Sequence, residues 1–188
     1  MDALERLFGE AGPAGPDLEA LLRLLGQELF HYARVLTGSP ERAEDALQDL
    51  LVVLLEQGAA ARQIKNPRAW LFTVLRRKAL GYRREQERAG PNLAAHLGEA
   101  VETDPAQRLL LAEAFGMLDR DAQEIALLHL WEGLTFAEIA QVLGIPRGTA
   151  LSHYHRGILE LRRKFGSDCA DAEEGGTFDE HVTATLPG

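Results

Sequence analysis

Apolar residues recur every three or four positions through most of the chain, which is the spacing of one face of an α-helix. The first clear stripe begins after the sequence GPAGP, and Gly38 is expected to end that helix. Ser39 followed by proline is typical of an N-cap with proline at the first helical position, and a similar start signal recurs at Asn66. These signals predict three helices between residues 17 and 88.

The helical pattern returns between residues 105 and 165. The sequences that begin at Asp104 and at Thr135 each fit a capping box. In a capping box, two side chains at the start of a helix accept hydrogen bonds from backbone amides that would otherwise have no partner. Gly144 is expected to end the helix that starts after Thr135, and a last helix is expected to start at Pro146.

The pattern therefore predicts an all-α fold of two small helical domains joined by a linker. A length of 188 residues fits two small domains, and a composition dominated by Leu and Ala with 6% aromatic residues favours helices over strands. The predicted division is an N-terminal extension at 1–16, a first helical domain at 17–88, a linker at 89–104, a second helical domain at 105–165 and an acidic tail at 166–188, which is expected to be disordered.

Charge is distributed unevenly, although the net charge is −9. Residues 62–88 carry nine basic and two acidic groups, and residues 145–165 carry five basic groups and one acidic group. Salt screens charges that are more than about 10 Å apart, so local patches matter more than the total. These two basic islands point to a polyanionic partner, and the acidic surroundings suppress indiscriminate binding to nucleic acid.

Several function classes find no support in the sequence. No apolar run approaches the roughly 20 residues that span a bilayer, and the N-terminus has no apolar core of a secretion signal. Cys169 is the single cysteine, so it forms no internal disulfide. The six histidines show no metal-ligand spacing, and there is no nucleophile motif or phosphate-binding glycine loop. We expect a cytoplasmic protein that is not an enzyme and has no cofactor or metal.

The basic island at 145–165 lies in a predicted helix-turn-helix, because two helices are joined by a glycine turn and the second has polar residues in its first turns. Such side chains can meet base edges or phosphates in the major groove. The predicted DNA-binding residues of this helix are Arg147, Thr149, Ser152, His153 and Arg156. An ordinary helical hairpin is the alternative interpretation.

The basic island at 62–88 interleaves cations with aromatic residues, as in proteins that stack unpaired bases on aromatic rings while cations follow the phosphates. Its predicted DNA-binding residues are Trp70, Arg76, Arg77, Lys78 and Arg83. The alternative is a solvated helix face whose aromatic residues belong to the core. One chain would thus carry a helix that binds duplex DNA and another that binds single-stranded DNA. This combination suggests promoter recognition.

Three sequence motifs in this order resemble bacterial RNA polymerase sigma factors of the extracytoplasmic-function group, over about residues 17–165. SPERAEDALQDLLVVLLE resembles the region-two helix that docks on the polymerase clamp, and NPRAWLFTVLRRKALGYRR resembles the segment that melts and reads the minus-ten element. The sequence from MLDRDAQEIALLHLWEGLTFAEIAQVLGIPRGTALSHYHRG onward resembles the region-four helix-turn-helix that reads the minus-thirty-five element.

The resemblance implies that Asp45, Gln48 and Asp49 face the polymerase clamp, where acids suit a basic partner surface. It also implies core RNA polymerase, promoter DNA and an anti-sigma factor as partners. The chain departs from the family pattern at Arg77 and Gly81, where Asn and Asp are common in the minus-ten helix. It also has Leu151 and His153 where the family has cations. These losses predict a weak or atypical minus-thirty-five contact.

Two other hypotheses remain open at this stage. A sigma mimic would bind an anti-sigma factor or polymerase without reading DNA. The missing cations of the last helix favour it, whereas the basic and aromatic residues of 70–88 argue against it. An ordinary helix-turn-helix regulator would explain residues 134–164 but leaves the helix around Trp70 unexplained.

Overall fold

A computed structural model describes residues 3–84 and 104–165, here called the N-terminal half and the C-terminal half. The predicted linker and acidic tail lie outside the described residues, apart from Asp104. The helices of the N-terminal half are α1 (Ala3–Gly9), α2 (Leu18–Thr37), α3 (Pro40–Gln57) and α4 (Pro67–Arg84), with a 3₁₀ turn at Gly58–Gln63. Those of the C-terminal half are α5 (Pro105–Met117), α6 (Arg120–Ala126), α7 (Phe136–Leu143) and α8 (Arg147–Phe165).

Most predicted helix ends are confirmed by their local geometry. Gly38 and Gly144 end α2 and α7 in the left-handed conformation, with φ of 68° and 70°. Ser39 caps α3 through its side chain, and Thr135 forms the full capping box with Glu138. The capping box predicted at Asp104 is wrong, because the side chain of Asp104 makes no capping hydrogen bond at the start of α5.

The N-terminal half packs α2, α3 and α4 around a shared apolar core. Tyr32 of α2 and Phe72 of α4 lie fully buried, with ring centroids 5.4 Å apart. Helix α1, which falls in the predicted N-terminal extension, adds the buried side chains of Leu4 and Phe8 and contacts both α2 and α4. Helix α1 is therefore part of this core, although no strong helical pattern in the sequence predicted it.

The C-terminal half is built around α6, α7 and α8. A π-helical turn at Leu127–Trp131 extends α6, and such wider turns are uncommon and often occur at functional positions. The rings of His129, Phe136 and Tyr154 form a cluster with centroid separations of 4.5–5.3 Å, which ties this turn to α7 and α8. The cluster therefore packs the π-helical turn, α7 and α8 together.

The two halves also pack against each other, chiefly where α4 meets α7. The π-helical turn contacts α2 nearby. One face of α4 is therefore covered by the C-terminal half in this structure.

Gly81 gives a test of the local helix energetics. A Cβ atom at Gly81 would meet nothing within 4 Å, so Gly81→Ala is expected to raise the free energy of unfolding by about 0.5–1 kcal/mol. The matched control is Gly144→Ala, which places a side chain on a residue with left-handed backbone conformation. This substitution is expected to lower the free energy of unfolding by about 1–2 kcal/mol. Urea unfolding measures both, and a stability loss in Gly81→Ala would contradict the account.

Candidate nucleic-acid and polymerase interfaces

Helix α8 packs against the rest of the C-terminal half through small buried residues and exposes several polar side chains. Ala150 is fully buried, and Gly157 is buried against Leu118 and Ala122. Of the predicted DNA-binding residues, Arg147, Ser152 and Arg156 are exposed and Thr149 is half-buried. Exposed cations and hydroxyls on the first turns of this helix suit contacts with a duplex.

His153 lies differently from its neighbours on α8. Its side chain is 20% exposed, and its Nδ1 lies 3.6 Å from Oδ1 of Asp119, the residue that caps α6. Part of its ring therefore faces the C-terminal half rather than solvent. Together with the half-buried Leu151, this leaves the middle of the helix face poor in cations.

Helix α4 carries the other basic island, and its predicted residues lie in different surroundings. Trp70 is half-buried against the apolar core, whereas Arg77 is exposed and its guanidinium makes no ion pair or hydrogen bond within the described segments. The side chain of Arg83 lies outside the described residues. Arg77 is thus available to a polyanion without rearrangement of the described residues.

Arg76 is held by the C-terminal half. Its Nε and Nη2 donate to Oε1 and Oε2 of Glu124 over 2.7 and 3.0 Å, which is a two-point guanidinium–carboxylate pair. The hydroxyl of Tyr32 donates to Oε1 of the same carboxylate over 2.7 Å. The hydrogen bonds that Arg76 donates to Glu124 raise the pKa of Arg76, and burial raises the pKa of Tyr32, so both groups keep their protons.

The predicted polymerase-facing residues lie on α3. Asp45 and Gln48 are exposed, while Asp49 is half-exposed and bound to α4. Its Oδ2 accepts from the Tyr82 hydroxyl over 3.1 Å and lies 3.3 Å from Nζ of Lys78. Asp49 therefore connects α3 to α4, which makes Asp45 and Gln48 the more accessible pair.

A second buried carboxylate, that of Glu132, also joins the halves. Its Oε1 lies 2.6 Å from His31 Nδ1, and its main-chain carbonyl accepts a hydrogen bond from Arg68. Burial raises the pKa of Glu132, and the hydrogen bond from His31 opposes that shift. Sequence reasoning missed Glu124 and Glu132, although two acids inside the apolar run QEIALLHLWEG were a visible signal of buried polar partners.

Other site types find no candidate in the described segments. No group of three or more His, Cys, Asp or Glu side chains there could hold a metal ion. None of the described helices is long and apolar enough to cross a membrane.

Comparison with known proteins shows the family to which the chain belongs. Residues 21–89 match the family Sigma-70 region 2, and residues 108–161 match Sigma-70, region 4. The ECF RNA polymerase sigma factor SigL of Mycobacterium tuberculosis is 32% identical over 167 residues, which cover 85% of this chain and 94% of that protein. The chain belongs to the extracytoplasmic-function sigma factors.

Two further relatives of this sigma factor agree. The RNA polymerase sigma factor YlaC of Bacillus subtilis is 28% identical, with coverage of 78% of this chain and 90% of that protein. The solved structure of the sigma factor RpoE in complex with the anti-sigma factor NepR, from Bartonella quintana, is 26% identical with a TM-score of 0.59, and covers 81% of this chain and 98% of that one. The predicted all-α fold is confirmed.

As a sigma factor, the protein binds core RNA polymerase and directs it to promoter DNA for transcription initiation. An ordinary helix-turn-helix regulator does not account for the region 2 match, and sigma factors are not enzymes. The two matched regions fall in the N-terminal and C-terminal halves respectively, so the contact between the halves is a contact between region 2 and region 4.

The raised pKa of Glu132 has a consequence for stability. Between the ordinary value of 4.5 and the higher folded value, the native state binds more protons than the unfolded state, so the free energy of unfolding contributed by this group falls as pH rises. Glu132→Gln removes that contribution. We expect the difference in unfolding free energy, wild type minus variant, to decrease as pH rises above about 4.5.

Urea unfolding at several pH values measures this difference, and Glu113→Gln, which changes an exposed acid of α5, is the control. If the unfolding free energies of wild type and Glu132→Gln depended on pH in the same way, the raised pKa of Glu132 would be contradicted.

Proposed function

We propose that this sigma factor reads promoters with the two basic islands, α4 contacting the melted minus-ten strand and α8 contacting the minus-thirty-five duplex. The observation that carries the proposal is the exposure of cations on both matched regions: Arg77 in region 2, and Arg147 and Arg156 in region 4. Exposed cations can bind phosphates at little structural cost, because no buried partner has to be given up.

Core RNA polymerase is proposed to contact α3 through the exposed Asp45 and Gln48. Val52 and Leu55 of the same helix are also exposed, at 52% and 45%, and large apolar side chains in solvent are typical of a surface that a partner covers. Asp49 is proposed to act there through its link to Lys78 and Tyr82, which sets the position of α4 against α3.

The site of action that fits this function is the cytoplasm, where core RNA polymerase works. An anti-sigma factor is proposed as a regulatory partner, because the related RpoE of Bartonella quintana was solved in complex with the anti-sigma factor NepR.

The proposed minus-ten role is tested by transcription from core RNA polymerase with a pool of genomic fragments and mapped transcript starts. Wild-type protein is expected to give starts that share two spaced upstream elements. Arg77→Ala is expected to reduce the yield at those starts about tenfold or more while core binding is retained, because a base or phosphate contact in the open strand is worth roughly 1–3 kcal/mol.

Arg23→Ala is the matched control, since Arg23 is an exposed arginine of α2 in the same half. Equal transcript yields from the two variants would contradict a role for Arg77 at the minus-ten element.

The proposed minus-thirty-five role is tested by the salt dependence of duplex binding. Arg147→Ala is expected to weaken binding of the full chain to a duplex with the mapped upstream element and to reduce the slope of log affinity against log salt by about 0.9. Arg163→Ala, an exposed arginine farther along α8, is the control and is expected to change the slope less. An unchanged slope in Arg147→Ala would count against contact at the start of α8.

A further inference from the structure

Gly81 is an unexpected residue inside α4, because no packing contact among the described residues requires a glycine there. A glycine inside a helix destabilises it relative to alanine. Gly157 of α8 has a packing reason, since a Cβ atom there would lie 2.9 Å from Cδ2 of Leu118. At Gly81 a Cβ atom would meet nothing within 4 Å, and the residue is exposed. The described residues therefore leave the space beside Gly81 open.

The open space lies on the outward face of α4, one turn after Arg77. Residues four apart are neighbours on the surface of a helix, so Arg77 and Gly81 border the same patch. Both are exposed. The opposite face of α4 is in the core and holds the fully buried side chains of Leu71, Phe72, Leu75 and Ala79. On the outward patch Arg77 supplies a cation, and Gly81 supplies room beside it.

The cations on either side of Arg77 are already paired. Arg76 donates two hydrogen bonds to Glu124, and Nζ of Lys78 lies 3.3 Å from Oδ2 of Asp49. A polyanion that approaches the outward face of α4 can therefore reach Arg77 and the backbone at residue 81 without displacing either pair.

Trp70 adds an aromatic ring to the same face. It precedes Arg77 by seven residues, which is about two helical turns, and it is half-buried. Rings in such positions can stack on unpaired bases while cations bind the phosphates. The outward face of α4 thus carries, in order, a ring, a cation and a turn without a side chain, over about 16 Å.

We propose that Gly81 is a contact residue for the minus-ten strand: the sugar–phosphate backbone of one unpaired nucleotide lies directly on the backbone of α4 at Gly81, and Arg77 binds its phosphate. The inference rests on the proposed role of α4 at the minus-ten strand and names the place where the strand comes closest to the helix. Glycine commonly occupies positions where a protein backbone closely approaches a ligand. A side chain at residue 81 would hold the strand away from Arg77.

This role and a purely structural role for residue 81 predict opposite results for Gly81→Ala. Alanine favours the helix and meets no neighbouring atom, so the variant is expected to be more stable than wild type. If DNA uses the open space, the added methyl group occupies that space and weakens binding of the strand. A variant that gains stability and loses DNA affinity is not explained by damage to the fold.

The test uses holoenzyme reconstituted from core RNA polymerase and the full chain. The probe is a fluorescent promoter fragment that carries the mapped upstream elements and has a single-stranded minus-ten segment. We expect holoenzyme with Gly81→Ala to bind this fragment at least about fivefold more weakly than wild type, which corresponds to the loss of about one strand contact. Binding within about twofold of wild type would overturn the proposal.

Gly26→Ala is the matched control, because it adds the same methyl group to a glycine inside α2, in the same half. A Cβ atom at Gly26 would lie 3.6 Å from the side chain of Leu22, which is an ordinary contact distance. Helix α2 has no proposed DNA contact, so binding within about twofold of wild type is expected. An equal loss of affinity in Gly26→Ala and Gly81→Ala would count against a contact at residue 81.

A double-mutant cycle tests whether Arg77 and Gly81 hold the same nucleotide. Once Arg77→Ala has removed the phosphate contact, the addition of Gly81→Ala is expected to change the affinity by less than about twofold. If Gly81→Ala caused the same loss in both backgrounds, the two residues would act independently and the proposal would be overturned.

Transcription separates this inference from the proposed function. Normal transcript yield from Arg77→Ala would contradict the proposed function itself. Reduced yield from Arg77→Ala, together with wild-type binding of the promoter fragment by Gly81→Ala, would leave the proposed function in place and overturn only the role of Gly81.

Discussion

Two carboxylates buried between the halves, those of Glu124 and Glu132, constrain the rest of the structure. A buried charge is costly unless it is paired and hydrogen-bonded, and removal of one partner of a buried pair typically costs about 3–5 kcal/mol. The N-terminal half meets this requirement with Arg76 and Tyr32 for Glu124 and with His31 for Glu132. The position of α4 relative to region 4 follows from these contacts as well as from apolar packing.

The cations of the two basic islands therefore differ in how far they are paired with acidic side chains. On α8 the cations at the proposed DNA face are exposed, while on α4 Arg76 is bound by the other half and Lys78 pairs with Asp49 of α3. Arg77 remains exposed between them. An acidic chain with a net charge of −9 thus carries cations on its proposed DNA-binding helices that its own acids partly cover. Local pairing matters more here than the net charge.

Local sequence signals predicted much of the fold because helix ends depend on a few neighbouring residues. Gly38, Gly144 and the capping box at Thr135 each act within about one helical turn. The box at Asp104 did not form although its sequence fits, since the side chain of Asp104 makes no capping hydrogen bond. Helix α1 has only seven residues, and its formation depends on packing against α2 and α4.

The candidate site was predicted less completely, because its main contacts join residues far apart in the chain. Glu124 lies 48 residues from Arg76 and 92 from Tyr32, and no periodicity reports such pairs. The sequence marked Arg76 as a cation for DNA and His153 as a reader of the duplex. The structure adds that Arg76 is held by Glu124 and that His153 lies near Asp119.

Energy transfer between fluorescent dyes on the two halves tests the central claim, that the buried carboxylates of Glu124 and Glu132 hold region 4 against the N-terminal half. The dyes are placed with Glu19→Cys and Glu160→Cys, two exposed positions, in a chain with Cys169→Ser. High transfer efficiency is expected in this chain, and a marked fall is expected when Glu124→Gln and Glu132→Gln are added, because both buried contacts between the halves then lose a charged partner. Equal efficiency with and without these two substitutions, in proteins that remain folded by circular dichroism, would contradict the claim.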